Sequence, residues 1–454
     1  MELPLKKNQE IILTVDDLSS EGQGIGRYEG YAVFVDGVLP LEQAIVRIIK
    51  TTPSYAVGQL KEILQPSSQR VIPPCPVYAK CGGCQLQHLS YTLQLTFKKK
   101  AVVDALERIG GIKNISVEEI ASMNEPWRYR AKSAFPVGND KGRAVIGFFS
   151  PRSHRIVDIS SCMIQDASGD SVIAAVREWI NKYKILPYDE VRRLGLVRHV
   201  MFRSVTDGGV MVVIVTNGKE LPHPDRLIAI LKNHVRGICS VIQNINTAET
   251  NVILGPKNIT LWGRETIEET LNGLKFSISP NSFFQVNIEQ TKKLYEKVLE
   301  YAAPERNRIV IDAFCGTGTI TLLLAHSAKK VYGIEFVREA VNDARDNAKR
   351  NGIQNAEFIC GRVDEEIKRL SQNGVQPDTI ILDPPRKGCS GAELEAAAAT
   401  GAKTIVYVSC NPATMARDAA ILVGKGYAAK AVTPVDMFPQ TIHVECCLLL
   451  TRQE

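Results

Sequence analysis

Ile309-Val310-Ile311-Asp312-Ala313-Phe314-Cys315-Gly316-Thr317-Gly318-Thr319 is an apolar strand that runs into a glycine turn and then a helical pattern. Gly316 and Gly318 permit a tight turn and let a ligand approach the backbone closely. The next strand, Val331-Tyr332-Gly333-Ile334-Glu335, ends on a carboxylate about 20 residues on, placed to accept hydrogen bonds from both hydroxyls of a ribose. NAD and S-adenosylmethionine both fit this geometry. The third glycine of G-x-G-x-x-G is missing, however, and Asp312 at the first turn suits a cationic, amine-bearing cofactor better than a pyrophosphate.

Outward from this stretch, strands and helices alternate. Lys330 to Ile334 precedes a helical Arg338 to Arg350, and Thr379 to Leu382 is a short apolar strand. Thr404 to Ser409 leads into a helix from Ala413 to Val423, and Thr441 to Leu450 reads as a last strand. Such alternation predicts an α/β domain with a mostly parallel, Rossmann-like sheet, its ligand beyond the carboxyl ends of the strands. Two motifs fall at those ends. Asp383-Pro384-Pro385-Arg386-Lys387-Gly388 fixes a carboxylate with two prolines, where it can meet a planar base. Tyr407-Val408-Ser409-Cys410-Asn411-Pro412 presents a thiol at a strand end beside a turn, the position of a nucleophile, and Glu445 follows as a late acid. With these residues counted, S-adenosylmethionine is preferred to NAD.

A chain of 454 residues is too long for one ordinary core and predicts two or three domains. No run of about 18 uncharged apolar residues exists, and Met1-Glu2-Leu3-Pro4-Leu5-Lys6-Lys7 has no secretory apolar core, so a cytoplasmic, non-membrane protein is expected. Short strands around Glu10 to Val15, Tyr31 to Val35, Gln43 to Ile49 and Ala56 to Ile63 predict an OB-type β-barrel over residues 1–65, with Gly22, Gly24 and Gly26 in a connection between strands. A mixed α+β central domain is expected over 66–90 and 125–280, and the Rossmann-like domain over 91–124 and 281–454. A helix from Tyr91 to Ile109 turns Leu93, Phe97, Leu106 and Ile109 inward and Lys98, Lys99 and Lys100 largely outward, to solvent or RNA.

The net charge of +6 is mild, but its distribution is uneven. Arg128, Arg130, Lys132, Lys141, Arg143, Arg152 and Arg155 face only Asp140, with Trp127, Tyr129, Phe135, Phe148 and Phe149 between them. That pattern suits an RNA-reading surface as well as a solvated strand face. Eleven cysteines in a reducing compartment point to metal or catalytic use. Cys75, Cys81 and Cys84 form C-x5-C-x2-C, and Cys162 follows a strand-like segment; four sulfurs suit a structural zinc or an iron–sulfur centre alike. The remaining cysteines other than Cys410 read as packing residues.

Asp312-Ala313-Phe314-Cys315-Gly316, Asp383-Pro384-Pro385-Arg386, Ser409-Cys410-Asn411-Pro412 and Phe438-Pro439-Gln440-Thr441-Ile442-His443-Val444-Glu445, in this order, resemble the RNA uracil-5 methyltransferases. Ser279-Pro280-Asn281-Ser282-Phe283-Phe284-Gln285-Val286-Asn287 matches the family's lead-in to the catalytic domain. The barrel and the cysteine set narrow the resemblance to the branch that modifies 23S ribosomal RNA. It implies a class I methyltransferase domain, a TRAM barrel, and a [4Fe-4S] cluster held by Cys75, Cys81, Cys84 and Cys162. It further implies S-adenosyl-L-methionine contacted by Gln285, Phe314, Glu335 and Asp383, Cys410 as nucleophile, Glu445 as general base, and action on 23S ribosomal RNA; a monomer is the default expectation. Gly361-Arg362-Val363-Asp364-Glu365 matches the family's adenine motif only loosely, so those residues are left out of the cofactor set.

The expected chemistry starts from the weak nucleophilicity of uracil C5. Thiolate addition at C6 makes an enolate that carries charge to C5, replacing one hard step with two easier ones. A base then removes the C5 proton so that the sulfur can leave. Asp383 is placed to accept from N3-H, which uracil has and cytosine lacks. A base under attack must leave its stack, so the target is expected in a loop or unfolded segment. Competing expectations are a tRNA uracil-5 methyltransferase, a cytosine-5 enzyme, for which a Pro-Cys nucleophile would be usual in place of Ser409-Cys410, and a non-catalytic RNA-binding iron–sulfur protein.

Overall fold

Buried runs of Val and Ile from Ile309 onward build one eight-stranded sheet. Its order is Ala356–Cys360, Lys330–Glu335, Ile309–Ala313, Thr379–Leu382, Thr404–Ser409, Glu445–Arg452, Tyr427–Val435 and the short Ser116–Val117. The computed structural model describes residues 3–303 and 308–453; Met1 and Glu2, read above as part of the amino-terminal stretch, lie outside them. The first five strands are parallel, and Glu445–Arg452 runs antiparallel to both its neighbours. Helices cover both faces, which is why Val331, Ile380, Ile405 and Val406 are buried without polar alternation. The order reverses between Ile309–Ala313 and Thr379–Leu382, opening a crevice at the carboxyl ends.

The amino-terminal strands Glu10–Leu18, Gly24–Tyr28, Tyr31–Val35, Tyr55–Gln65 and Gln43–Thr51 close into a barrel in that order. Of the glycines expected in a connection, Gly22 lies in one, whereas Gly24 and Gly26 belong to the strand Gly24–Tyr28. A Cβ on Gly26 would stand 2.3 Å from the carbonyl oxygen of Thr14, so the glycine lets two barrel strands cross at close range. Glu42, fully buried, is the barrel's polar anchor: it accepts from Arg70 Nε (2.6 Å) and Nη2 (2.6 Å) and from the backbone of Leu39 and Ser67. Burial alone would raise its pKa, but these donors outweigh it and hold the carboxyl below the usual range.

The central region is a seven-stranded sheet, Lys257–Gly263, Ile238–Ile245, Val210–Thr216, Val197–Ser204, Lys132–Asp140, Arg143–Phe149 and Ile156–Asp158. Helices Ala167–Lys182 and Pro224–His234 cover one face through Trp179, Val172, Leu227 and Leu231. From the other face Met201, Val213 and Ile242 share a core with Phe284, Leu294 and Val298 of the Rossmann-like region. The basic–aromatic stretch largely belongs to this packing. Phe135 is buried, Tyr129 donates to Pro439 O (2.9 Å), and Arg128 pairs with Asp170 (2.7 Å), whereas Lys141, Arg143, Arg152 and Arg155 are exposed.

Helix Tyr91–Arg108 starts at Ser90, whose Oγ caps Leu93 N, and packs Val102, Ala105 and Leu106 against Met415 and Ala416 of helix Pro412–Val423. Two expectations for it fail. Ile109 is exposed, and Lys98 points inward, fully buried on Asp436. The last strand also begins later than read, at Glu445, because Thr441–Val444 belongs to a loop held over the crevice. Among the described residues no helix is long and apolar enough to cross a membrane.

Arg70→Met should leave Glu42 buried without its cation and destabilise the barrel by about 3 kcal/mol. Hydrogen exchange should show barrel amides losing protection while the eight-stranded sheet keeps its own.

Candidate active site

Strand pairing assembles the site. Ser409 pairs with Cys446 in antiparallel register, so Cys410, the first residue past its strand, comes out beside Glu445, the first of the adjacent one. Leu382 pairs with Ala313 and Tyr407, and Ala313 with Ile334, so Asp383, Phe314 and Glu335 reach the same sheet edge. All these residues, with Gln285, line one cavity of about 1000 Å³ that extends to Cys75, Cys81, Cys84 and Cys162. Every site residue expected from sequence therefore borders a single space.

Local geometry fixes each group. Phe314 has φ of 65°, a left-handed conformation unusual for a side-chain-bearing residue, and it turns the chain from strand into glycine loop. Glu335 bridges that loop to the next turn, accepting from Gly316 N (3.2 Å) and Val337 N (2.8 Å). Asp312, fully buried, accepts from Thr321 Oγ1, while its Oδ1 has no hydrogen-bond partner among the described residues. It lies by a small side cavity shared with Gln285, Phe314 and Asp383.

Cys410 sits between strand Thr404–Ser409 and helix Pro412–Val423. Ser409 Oγ accepts from Asn411 N (3.1 Å), and Asn411 caps the helix through Ala413 N (3.0 Å). The Asp383–Gly388 loop is fastened beside it by Asp418. This buried carboxylate takes Cys389 N (2.7 Å), Tyr407 Oη (2.5 Å) and Arg417 Nε (2.8 Å), and Arg417 reaches back to Lys387 O (3.0 Å). Gly388, at φ of 76°, leaves room for the clasp, since a Cβ there would stand 2.5 Å from Asp418 Oδ2.

The electrostatics favour proton traffic. Burial, with the charge of nearby Asp383, lifts Glu445 to about 8, and burial lifts Asp383 to about 7. Burial, then the carboxylates of Asp383 and Glu335, bring Asp312 to about 7 despite the Thr321 bond. Burial and Glu445 hold the Cys410 thiol above its ordinary range, and Arg386 offsets only part of that rise. Arg386 was legible only as part of a motif; the structure makes it the cation facing both Cys410 and Glu445. His443, held near 4 by burial and by Arg386, Lys98 and Arg130, is a neutral imidazole in the same wall. Arg362 and Val363, set aside in the sequence reading, also line the cavity, as do the exposed rings of Phe283 and Phe336.

The four cysteines border the cavity from the central-domain side. Burial, together with the neighbouring sulfurs, pushes up the thiols of Cys81, Cys84 and Cys162, which places the set within electrostatic reach of each other: Cys84 feels Cys162, Cys81 and Cys75, and Cys162 feels Cys81 and Cys75. Among the described residues, no three His, Cys, Asp or Glu side chains converge as ligands of one metal ion.

A parallel sheet with one antiparallel strand near its edge, bearing its site at the strand ends, defines a class I S-adenosylmethionine-dependent methyltransferase fold. Over 97% of this chain and 100% of the other, the protein superposes with a TM-score of 0.78 and 29% identity on the Pyrococcus abyssi tRNA (uracil-54, C5)-methyltransferase, solved with S-adenosyl-L-homocysteine. Residues 246–453 match the tRNA (uracil-5-)-methyltransferase family and residues 4–61 the TRAM domain. An uncharacterized RNA methyltransferase of Clostridium tetani is 47% identical over 99% of this chain and 98% of its own. Another, of Halalkalibacterium halodurans, is 45% identical over the same shares. The chain thus belongs to the RNA (uracil-5-)-methyltransferase family, with an amino-terminal TRAM domain and S-adenosylmethionine as methyl donor.

The unpartnered Oδ1 of Asp312 fits the donor's ammonium group. That contact would hold the carboxylate ionised, so binding of S-adenosyl-L-homocysteine below pH of about 7 should release a proton, and affinity should climb with pH and then level. Titration calorimetry in buffers of different ionisation enthalpy measures the release, and Asp312→Asn should remove that residue's share and weaken binding.

Proposed function

We propose that the protein methylates C5 of a uridine in 23S ribosomal RNA, with Cys410 as nucleophile and Glu445 as base. The observation that carries the reading is the antiparallel Ser409–Cys446 pair, which brings Cys410, the first residue past its strand, and Glu445, the first of the next, to one rim of the cofactor crevice. Cys410 adds to C6 as the thiolate, aided by Arg386, whose charge lowers the thiol's pKa. Bound S-adenosylmethionine supplies an electrophilic methyl group at Phe314, Glu335, Gln285 and Asp383. Glu445, brought to about 8 by burial and by Asp383, has the basicity to take the C5 proton near neutral pH; the C5–H electron pair then forms the ring double bond and the sulfur leaves. Asp383, beside it, accepts from the uracil N3-H.

The four cysteines are proposed to hold a [4Fe-4S] cluster. Four sulfurs bordering one cavity suit a structural zinc or an iron–sulfur centre alike, and the resemblance to the 23S ribosomal RNA branch is what favours the cluster. No step above needs an electron, so its part is to fix the fold or dock RNA. Anaerobically purified protein should contain iron and acid-labile sulfide; one zinc without sulfide would overturn this assignment.

Ribosomal RNA is favoured by the combined motifs of barrel, cysteines and catalytic loops. A tRNA-modifying enzyme, however, aligns over 97% of this chain, too much to omit the barrel, so that module alone does not separate the two substrates. Mapping 5-methyluridine in RNA from cells lacking the protein decides between them: loss from 23S RNA is expected, and loss from tRNA alone would reassign the substrate. A non-catalytic RNA-binding role fails if the protein incorporates methyl groups into RNA. Cytoplasmic action as a monomer is part of the same proposal.

Cys410→Ala should lower methylation about 1000-fold or more. Glu445→Gln should still add and methylate but release product slowly, leaving a denaturation-resistant protein–RNA adduct; full turnover by that variant would remove Glu445 as base.

A further inference from the structure

Glu445 hangs from the loop Asp436–Val444, and this loop is held from outside to an unusual degree. Each backbone carbonyl from Asp436 to Gln440 accepts a hydrogen bond from elsewhere. Gln290 Nε2 reaches Asp436 O (3.1 Å), Asn287 Nδ2 reaches Met437 O (3.0 Å), Lys98 Nζ reaches Phe438 O (2.9 Å) and Tyr129 Oη reaches Pro439 O (2.9 Å). The amides of Gln85 and Leu86 reach Gln440 O (3.1 and 3.0 Å).

Helix Tyr91–Arg108 makes the most specific of these contacts. Lys98, fully buried, joins the equally buried Asp436 to the Phe438 carbonyl, and Tyr91 Oη closes on the other oxygen of Asp436 (2.6 Å). One turn earlier Gln94 trades bonds with Gln440: its Oε1 takes Gln440 N (3.0 Å) and its Nε2 gives to Gln440 Oε1 (3.0 Å). Gln440 has φ of 70°, a conformation a glutamine holds only when its surroundings impose it.

A buried ion pair adds little to stability against apolar residues of similar volume, because desolvation offsets the attraction. It does fix geometry, since each group has one arrangement that satisfies it. We infer that Lys98 and Gln94 are positioning residues for proton abstraction, setting the loop so that the Glu445 carboxylate stands opposite Cys410. The inference rests on Glu445 being the base. Displacing that carboxylate leaves sulfur addition and methyl transfer in place, but slows transfer of the C5 proton to Glu445, the step on which cleavage of the carbon–sulfur bond depends.

The test separates methyl transfer from release in single-turnover experiments on the full chain. The variants are Lys98→Met, the charge-free pair Lys98→Met with Asp436→Leu, and Gln94→Leu. Methyl transfer to the adduct should stay within about 3-fold while release slows about 10- to 100-fold, with adduct accumulating. The charge-free pair should regain thermal stability over Lys98→Met alone yet keep the slow release, a separation that a merely structural role would not give. Release within about 3-fold of the parent in both the charge-free pair and Gln94→Leu overturns the inference, as does an equal fall of both steps. Glu445→Gln, run alongside, distinguishes the failures: if it too releases normally, the base assignment falls and takes this inference with it.

Discussion

One antiparallel strand in an otherwise parallel sheet is the constraint on which the site depends. Had Glu445–Arg452 run parallel to Thr404–Ser409, its amino-terminal end would lie at the opposite edge, and Glu445 would be a sheet's length from Cys410. The reversed strand brings an acid near the carboxyl end of the chain to the same rim as the Cys410 thiol, the glycine loop and the Glu335 carboxylate, the groups proposed as nucleophile and cofactor contacts. Covalent methylation of a ring needs all of them around one base.

Charge in that rim is finely set. Asp312, Asp383 and Glu445 are all lifted toward neutrality by burial, and Arg386 is the cation that opposes this at Glu445 and reaches Cys410. A carboxyl held between ionised and neutral forms at working pH can accept a proton and give it up again. Holding such groups in place takes supports that do no chemistry: Asp418 for the Asp383–Gly388 loop, and helix Tyr91–Arg108 for the loop before Glu445. The segment after Cys84 also bonds that second loop through Gln85 and Leu86, so the cysteine-bearing region is built into the same wall.

Much of this was legible in the residues. Strands such as Ile309–Ala313 and Thr404–Ser409 are apolar throughout because both faces are covered, and the motifs at their ends mark the site. What escaped reading depends on partners remote in sequence. Lys98 looks like one of three solvated lysines because its acid, Asp436, lies 338 positions away. Thr441–Val444 has strand-like composition, yet the contacts that hold its loop come from helix, barrel-side and central segments. Phe135 and Tyr129 resemble base-stacking residues until the sheet that buries them is drawn. Arg386 and Asp418 gain their roles only when Asp383–Gly388 and helix Pro412–Val423 are seen side by side.

Which sulfur bonds the RNA is the most direct test of covalent catalysis by Cys410. Protein carrying Glu445→Gln, incubated with methyl donor and RNA, digested with nuclease and protease and sequenced by tandem mass spectrometry, should carry a methylated uridine on the peptide containing Ser409-Cys410-Asn411. A uridine attached through any other cysteine, or an attached base without its new methyl group, would contradict it.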